Sequence, residues 1–275
     1  MFADDVILYR NISSTEDCDL LQSDINKLCE WQNIWQMQFN TSKCFIMHVT
    51  HKKKITPYKY HLWNSELGIV DNYPYLGVHL SNNLSWNNHI NTTVNKANSI
   101  LGLLKRNLWN CSTQTKDIAY KTLVRPRLEY CCSVWDPHQK RHQDILEKTQ
   151  RRAARFVSNK YQRTSSVTDM LGKLKWDTLQ DRRTNSRLIF LFKEIHNITP
   201  CNINQITSKA SSRPTTRITR QSHDLNFNII RANKDCYKYS LYPRTIVEWN
   251  SLSPSTKSAP DLAAFKKQLS INKVN

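Results

Sequence analysis

Asp4 and Asp5 stand side by side between Phe2-Ala3 and the apolar run Val6-Ile7-Leu8-Tyr9. Short apolar, partly β-branched segments flanking an acidic pair read as strand, turn, strand over Phe2 to Tyr9, with both carboxylates at the tip. Carboxylate oxygens held at a rigid edge suit Mg2+, which takes few protein carboxylates and keeps water and substrate phosphates as its other ligands. A cation held there would neutralise phosphate charge and align an attacking hydroxyl with a leaving pyrophosphate. Taken alone, an Asp-Asp pair describes an ordinary acidic turn just as well, so its surroundings must decide.

A second group is basic. Lys140, Arg141, Arg151, Arg152, Arg155, Lys160 and Arg163 crowd around one predicted helix, and the chain carries 40 Lys+Arg against 22 Asp+Glu, a formal charge of +18. With a pI near 9.6, the molecule attracts polyanions, and nucleic acid is the expected partner. Such residues track phosphates without reading sequence. Any one of them equally describes a solvated helix face; the grouping carries the argument. Cys131, Cys132, His138 and His142 raise a zinc reading, because His-x3-His suits one helix face. Against it, both cysteines fall in the apolar run Tyr130 to Trp135 and are expected in the core.

Several classes are excluded. The eight cysteines of the 275 residues form no dense framework, so free thiols in a reducing, intracellular compartment are expected. No apolar run approaches the length of a membrane span. Four glycines leave no room for a Gly-rich phosphate loop. The mean hydropathy of −0.63 predicts a wet surface, while 39% hydrophobic residues suffice for packed cores.

The elements that must position these groups emerge from periodicity. Ser14 and Asp17 resemble a capping box, and Leu21, Ile25, Leu28 and Trp35 continue at helical spacing, predicting a helix over 15–36. Strands are predicted at Phe45 to Thr50, His61 to Trp63, Gly68 to Val70 and Tyr75 to Leu80. After Asn82, Trp86, Ile90, Val94, Ala97, Leu101, Leu104 and Leu108 mark a long helix capped by Ser85. Further helices are predicted at Thr113 to Leu123, disturbed by Pro126, at Asp144 to Val157 and at about Trp176 to His196. Residues 200–224 are Ser/Thr/Arg-rich and aperiodic, a linker.

In this setting Phe2-Ala3-Asp4-Asp5 followed by an apolar strand resembles the catalytic turn of reverse transcriptases. The order of the downstream segments is similar too. Phe39-Asn40-Thr41-Ser42-Lys43-Cys44 resembles a family stretch around a lysine, and Tyr73-Pro74-Tyr75-Leu76-Gly77-Val78 resembles the hairpin that grips the primer. Leu84-Ser85-Trp86 with His89-Ile90 resembles the start of the thumb in non-long-terminal-repeat retrotransposons. Leu123-Val124-Arg125-Pro126, Val134-Trp135-Asp136-Pro137, Leu174-Lys175-Trp176, Arg182-Arg183, Tyr242-Pro243-Arg244 and Trp249-Asn250-Ser251-Leu252 continue the likeness to about residue 269, closest to the jockey-like elements.

The resemblance implies an α+β fold: part of a polymerase palm over 1–81, a helical thumb over 82–165, a helical extension over 166–199, the linker, and a small aromatic and basic region over 225–275. It implies RNA-directed DNA synthesis with Mg2+, dNTPs, an RNA template and a DNA primer. Asp4 would be a metal ligand, and Asp5 a second ligand or a partner that orients the first. Lys43 falls where the family has a lysine proposed to protonate pyrophosphate; a solvent-exposed lysine at a strand entry is the plain alternative. Leu76 and Gly77 would support the primer backbone. The family's other metal-binding Asp and its fingers lie upstream of this turn, so the chain is expected to be the back portion of such an enzyme, inactive alone. The alternative is a non-catalytic nucleic-acid-binding remnant of a decayed element.

Overall fold

The computed structural model describes residues 5–52, 54–201, 203–209 and 224–271. Asp4 lies outside the described residues, as does most of segment 200–224. The chain divides into two compact units, Met1–His89 and Ile90–Asn275.

In the first unit, helix α1 runs from Thr15 to Trp35. Its start is as predicted: the backbone N–H groups of Ser13 and Ser14 donate to the Asp17 carboxylate at 2.8 and 3.1 Å. These bonds satisfy donors that a helix start leaves without partners. The helix stops where Gln36 turns left-handed, at φ 52°. Its inner face buries Cys18, Ile25 and Cys29 against Tyr60, Leu62 and Leu67.

Around it the described residues form six short strands: β1 (Phe45–Ile46), β2 (His61–Leu62), β3 (Ser65–Glu66), β4 (Gly68–Ile69), β5 (Asn72–Tyr75) and β6 (Val78–Ser81). They make three separate pairs, β1 with β4 parallel, β2 with β3 and β5 with β6 antiparallel. The Gln22 side chain locks α1 to β2 by donating to the His61 carbonyl at 2.8 Å and accepting from its N–H at 2.9 Å.

Three strand expectations are corrected here. Phe45 to Thr50 forms a ladder only in its first two residues. Tyr75 to Leu80 is not one strand, because the chain reverses at Leu76-Gly77 between β5 and β6. Both turn residues have positive φ, 46° and 80°, as the two-residue turn that matches strand twist requires. Val6 to Tyr9 belongs to no strand, since strand character needs a paired neighbour and no described strand supplies one.

The second unit is helical. Helix α2 (Asn87–Asn107) buries Ile90, Val94, Ala97, Leu101 and Leu104, the predicted face, and Ser85 accepts from the Asn87 N–H at 3.3 Å. Helix α3 (Thr113–Ala119) widens into a π-helical turn at Tyr120–Val124 and resumes as α4 (Arg125–Glu129). The wide turn relieves the clash that the Pro126 ring would make with the carbonyl four residues earlier. Next come α5 (Cys132–Trp135), α6 (Lys140–Val157), α7 (Val167–Leu174), α8 (Leu179–Ile195), α9 (Asp235–Lys238), α10 (Leu241–Asn250), α11 (Pro254–Lys257) and α12 (Leu262–Ile271). Helix α8 begins later than predicted because Thr178 caps it, accepting from Asp181 N–H at 3.1 Å. Trp176 is freed to stack on Tyr120 at 4.2 Å. Leu188, Leu191 and Phe192 of α8 pack with Ile246 and Trp249 of α10 and with Phe265 and Leu269 of α12.

One polar cluster threads this apolar packing. Asp136 accepts from Arg183 Nε at 2.6 Å, pairs with Arg187, and lies 3.2 Å from Arg244. Arg187 also clasps both oxygens of Glu248 at 2.6 and 2.7 Å. The side chains of Asp136, Arg183 and Arg187 are only 1–3% exposed.

These contacts set two expectations for stability. Asp136→Ala leaves buried guanidinium groups without their counter-charge and should cost about 3–5 kcal/mol. Lys140→Ala removes an exposed pair with Asp144 and should cost no more than about 1 kcal/mol. Urea unfolding followed by circular dichroism tests both, and equal effects would contradict the assignment. For α1, the N–H groups of Ser13 and Ser14 hold the Asp17 carboxyl below its ordinary 3.8. Its stabilisation is therefore complete above that value and is lost as pH falls through the depressed one.

Candidate nucleic-acid interface and acidic turn

Asp5 is exposed, and the four residues after it line an apolar cleft of about 470 Å³ in the first unit. Lys43 reaches the same cleft from the end of a short 3-10 turn, Thr41–Lys43. That turn is closed by the Asn40 side chain, which accepts from Ser42 N–H at 3.0 Å. The hydroxyl of Tyr73 on β5 donates to the Lys43 carbonyl at 3.2 Å, and its ring meets Phe45 at 5.7 Å between centroids. The fold thus gathers Lys43, the segment following Asp5 and the base of the β5–β6 hairpin around one cleft. Leu76 and Gly77 form the hairpin's tip and are not among the residues lining it.

The basic group is organised by α6. At about 100° per residue, Lys140, Arg141, Lys148, Arg151, Arg152 and Arg155 share roughly one third of the helix circumference. The opposite side buries His142, Leu146, Thr149, Gln150, Ala153, Ala154, Phe156 and Val157. Within the basic arc the one acid is Asp144, paired with Lys140 at 3.2 Å. Arg155 is steadied by donating to the Gln162 carbonyl at 3.1 Å, and Lys160 and Arg163 are exposed just beyond the helix end.

The arc extends onto α2. Arg152 donates to the Asn98 side chain at 3.3 Å. Lys105 has its pKa lowered by burial and then by the like charge of Arg152. Cations held this close gain from a polyanion that neutralises them together. Sequence reasoning missed Lys148 and Lys105. Lys148 was legible, since Arg141, Lys148, Arg152 and Arg155 recur at helical intervals. Lys105 was not, because only the packing of two helices brings it beside Arg152.

The zinc reading does not survive. Cys132 is buried as expected, and burial pushes its thiol pKa up. Cys131 is exposed, not a core residue, because it occupies a left-handed turn ahead of α5 at φ 54°. His138 stacks on Tyr239 at 4.1 Å. Among the described residues, no three or more His, Cys, Asp or Glu side chains are placed to share a metal ion. No described helix is long and apolar enough to cross a membrane.

Comparison with known proteins gives two relatives. The chain is 27% identical over 161 residues, 54% of its length, to the probable RNA-directed DNA polymerase from transposon X-element of Drosophila melanogaster. It is 27% identical over 176 residues, 60% of its length, to the RNA-directed DNA polymerase from mobile element jockey of Drosophila funebris. The matched stretches are 17% and 19% of those proteins, so the chain spans less than a fifth of the curated relatives it matches. No family model and no solved structure matches the chain.

The basic arc makes a measurable prediction. Binding to a DNA duplex should weaken with salt, each phosphate contact contributing a slope of about 0.9 in log K against log salt. The triple variant Arg141→Ala, Lys148→Ala, Arg152→Ala should flatten that slope by roughly 2–3. Filter binding at several salt concentrations checks it; an unchanged slope would remove α6 from the interface.

Proposed function

We propose that this chain, a relative of the reverse transcriptases of jockey-like non-long-terminal-repeat retrotransposons, is the back portion of an RNA-directed DNA polymerase. The observation that carries the reading is the 27% identity over more than half the chain to two polymerases of mobile elements. In this reading the first unit is part of the palm and the second unit includes the thumb. The α6 arc follows the backbone of an RNA template paired with a DNA primer, contacting phosphates and leaving base pairing to carry sequence.

Asp4 and Asp5 are the residues that would hold Mg2+. The exposed Asp5 carboxylate offers the hard oxygen that this cation prefers, and its few-carboxylate habit leaves room for dNTP phosphates. Bound there, the cation would supply charge neutralisation at the transferred phosphate. In this reading a further carboxylate, beyond Asp4 and Asp5, would complete the site. In this reading Lys43, which lines the cleft of the first unit, would donate a proton to departing pyrophosphate.

A second reading, a nucleic-acid-binding remnant without catalysis, is favoured by one feature. The basic arc is complete within the second unit and needs nothing from the acidic turn.

Primer extension on an RNA template with Mg2+ separates the two readings. The chain alone should give background signal. Fused behind the upstream portion of the Drosophila funebris jockey polymerase, it should extend the primer. Asp4→Ala should then abolish extension, while Lys43→Ala should slow it by up to roughly 10²-fold. A fusion that stays active without Asp4 would refute the assignment, and an inactive fusion that still binds duplex would favour the remnant.

A further inference from the structure

The open side of α6 is built for phosphates. Its exposed residues are Lys140, Arg141, Asp144, Lys148, Arg151 and Arg152, and no exposed aromatic ring stands among them. A different surface adjoins its first turn. His138, just ahead of α6, lies flat against Tyr239, with ring centroids 4.1 Å apart and planes 7° from parallel. Tyr239 directly follows α9, so this stack sets α9 beside the start of the basic arc.

Helix α9 is a single closed turn, in which the N–H groups of Tyr237 and Lys238 donate to the Lys234 carbonyl at 3.1 and 2.9 Å. Lys234 and Tyr237 are thereby neighbours on its surface. Tyr237 is 50% exposed, and Arg231, Lys234 and Lys238 are exposed with it. The Lys238 ammonium also lies over the Tyr239 ring, 5.3 Å from its centroid, which holds it beside the stack. The one acid between Arg231 and Tyr239 is Asp235. Burial lowers the His138 pKa and Asp235 opposes that shift, so the charge of this carboxylate is felt at the stack. An open tyrosine among cations suits one class of ligand. The bases of a duplex stack on each other, whereas an unpaired base offers its face to a ring, and such stacking accepts every base. An apolar peptide would cover the ring but gain nothing from the cations around it.

We infer that α9 and the His138–Tyr239 stack form a seat for unpaired nucleotides at the end of the α6 track. A base stacks on Tyr237, and Lys234 and Lys238 contact the phosphates beside it. The 18 residues of α6 rise about 27 Å, roughly the length of eight base pairs. A duplex lying along the arc thus delivers to α9 the strand that continues past its end. The inference rests on the nucleic-acid reading of the α6 arc for the class of ligand, and on α9 for its single-stranded form.

The test follows the fluorescence anisotropy of labelled probes added to the full chain: a blunt DNA duplex, the same duplex with a single-stranded thymidine tail, and oligothymidylate alone. The tailed duplex should bind more tightly than the blunt one. Tyr237→Ala should weaken binding of the tailed duplex at least about fivefold and leave the blunt duplex unchanged. It should also leave the salt slope unchanged, since no phosphate contact is lost. Tyr237→Phe keeps the ring and should keep the affinity. Lys234→Ala with Lys238→Ala should instead flatten the salt slope for oligothymidylate by about 1.4. Tyr130→Ala, at a ring 57% exposed outside both α6 and α9, should change nothing. Equal affinity for tailed and blunt duplexes, a silent Tyr237→Ala, an effect of it shared equally by both duplexes, or loss of affinity in Tyr237→Phe would each overturn the inference. Selective weakening of the tailed duplex by Tyr237→Ala, with blunt-duplex binding indifferent to the α6 triple variant, would leave the seat standing and remove the α6 track. A triple variant that flattens the slope beside a silent Tyr237→Ala would do the reverse.

Discussion

Asp136 is the point on which the second unit turns. Three guanidinium groups, from Arg183 and Arg187 of α8 and Arg244 of α10, converge on its carboxylate. Glu248 takes the remaining charge of Arg187. Each of these ions alone would be prohibitively costly away from water, so the elements carrying them must arrive together. This makes the cluster a constraint on geometry more than a source of stability. Its positive charges outnumber its negative ones, and Arg183 Nη1 and Arg187 Nε have no hydrogen-bond partner among the described residues. Apolar packing of Phe192, Trp249 and Phe265 supplies the driving force; the ions dictate which faces meet.

The same cluster gives physical meaning to the sequence resemblance. Trp135-Asp136-Pro137, Arg182-Arg183, Tyr242-Pro243-Arg244 and Trp249 look like unrelated fragments along the chain. Folded, Trp135 is fully buried and donates from its indole to the Tyr130 carbonyl at 2.8 Å. Arg183 and Arg244 reach Asp136, and Tyr242 donates to Glu194 at 2.7 Å. Burial pushes the Glu194 carboxyl up, and that phenol hydrogen bond partly opposes the shift. These residues act on assembly. In this fold the segments of the second unit that carry the resemblance are residues that bring helices together.

How much was legible in the sequence depended on how local the cause was. The start of α1 could be read from Ser14 and Asp17 because a capping box is a contact within one turn. The faces of α2 and α6 could be read because periodicity survives in one dimension. Helix α6 begins at Lys140, ahead of the predicted Asp144, since its first residues are polar and carry no apolar period. The two-residue strands could not be bounded, as their limits are set by partners distant along the chain, Phe45 with Gly68 and Ile46 with Ile69. The Leu76-Gly77 reversal was given by the resemblance of residues 73–78 to a hairpin, while apolar patterning alone ran Tyr75 to Leu80 as one strand, although Gly at the second position was a signal for the turn. In the candidate site, Arg151 and Arg152 were legible as a charge run, but Lys105 entered only through helix packing. The convergence of Asp136 with arginines 47 or more positions away obeys no rule of spacing.

The two units differ in how far their cores are closed. In the second unit the inner faces of α8, α10 and α12 pack on one another, while Leu103, Trp109 and Ile118 stay exposed. The first unit keeps a cleft lined by residues that elsewhere would be core, with Ile25, Leu62 and Leu67 buried at its back and Leu8 and Val49 open at its rim. A segment that fills such a cleft binds the folded unit and not the unfolded one, so it stabilises the unit by mass action.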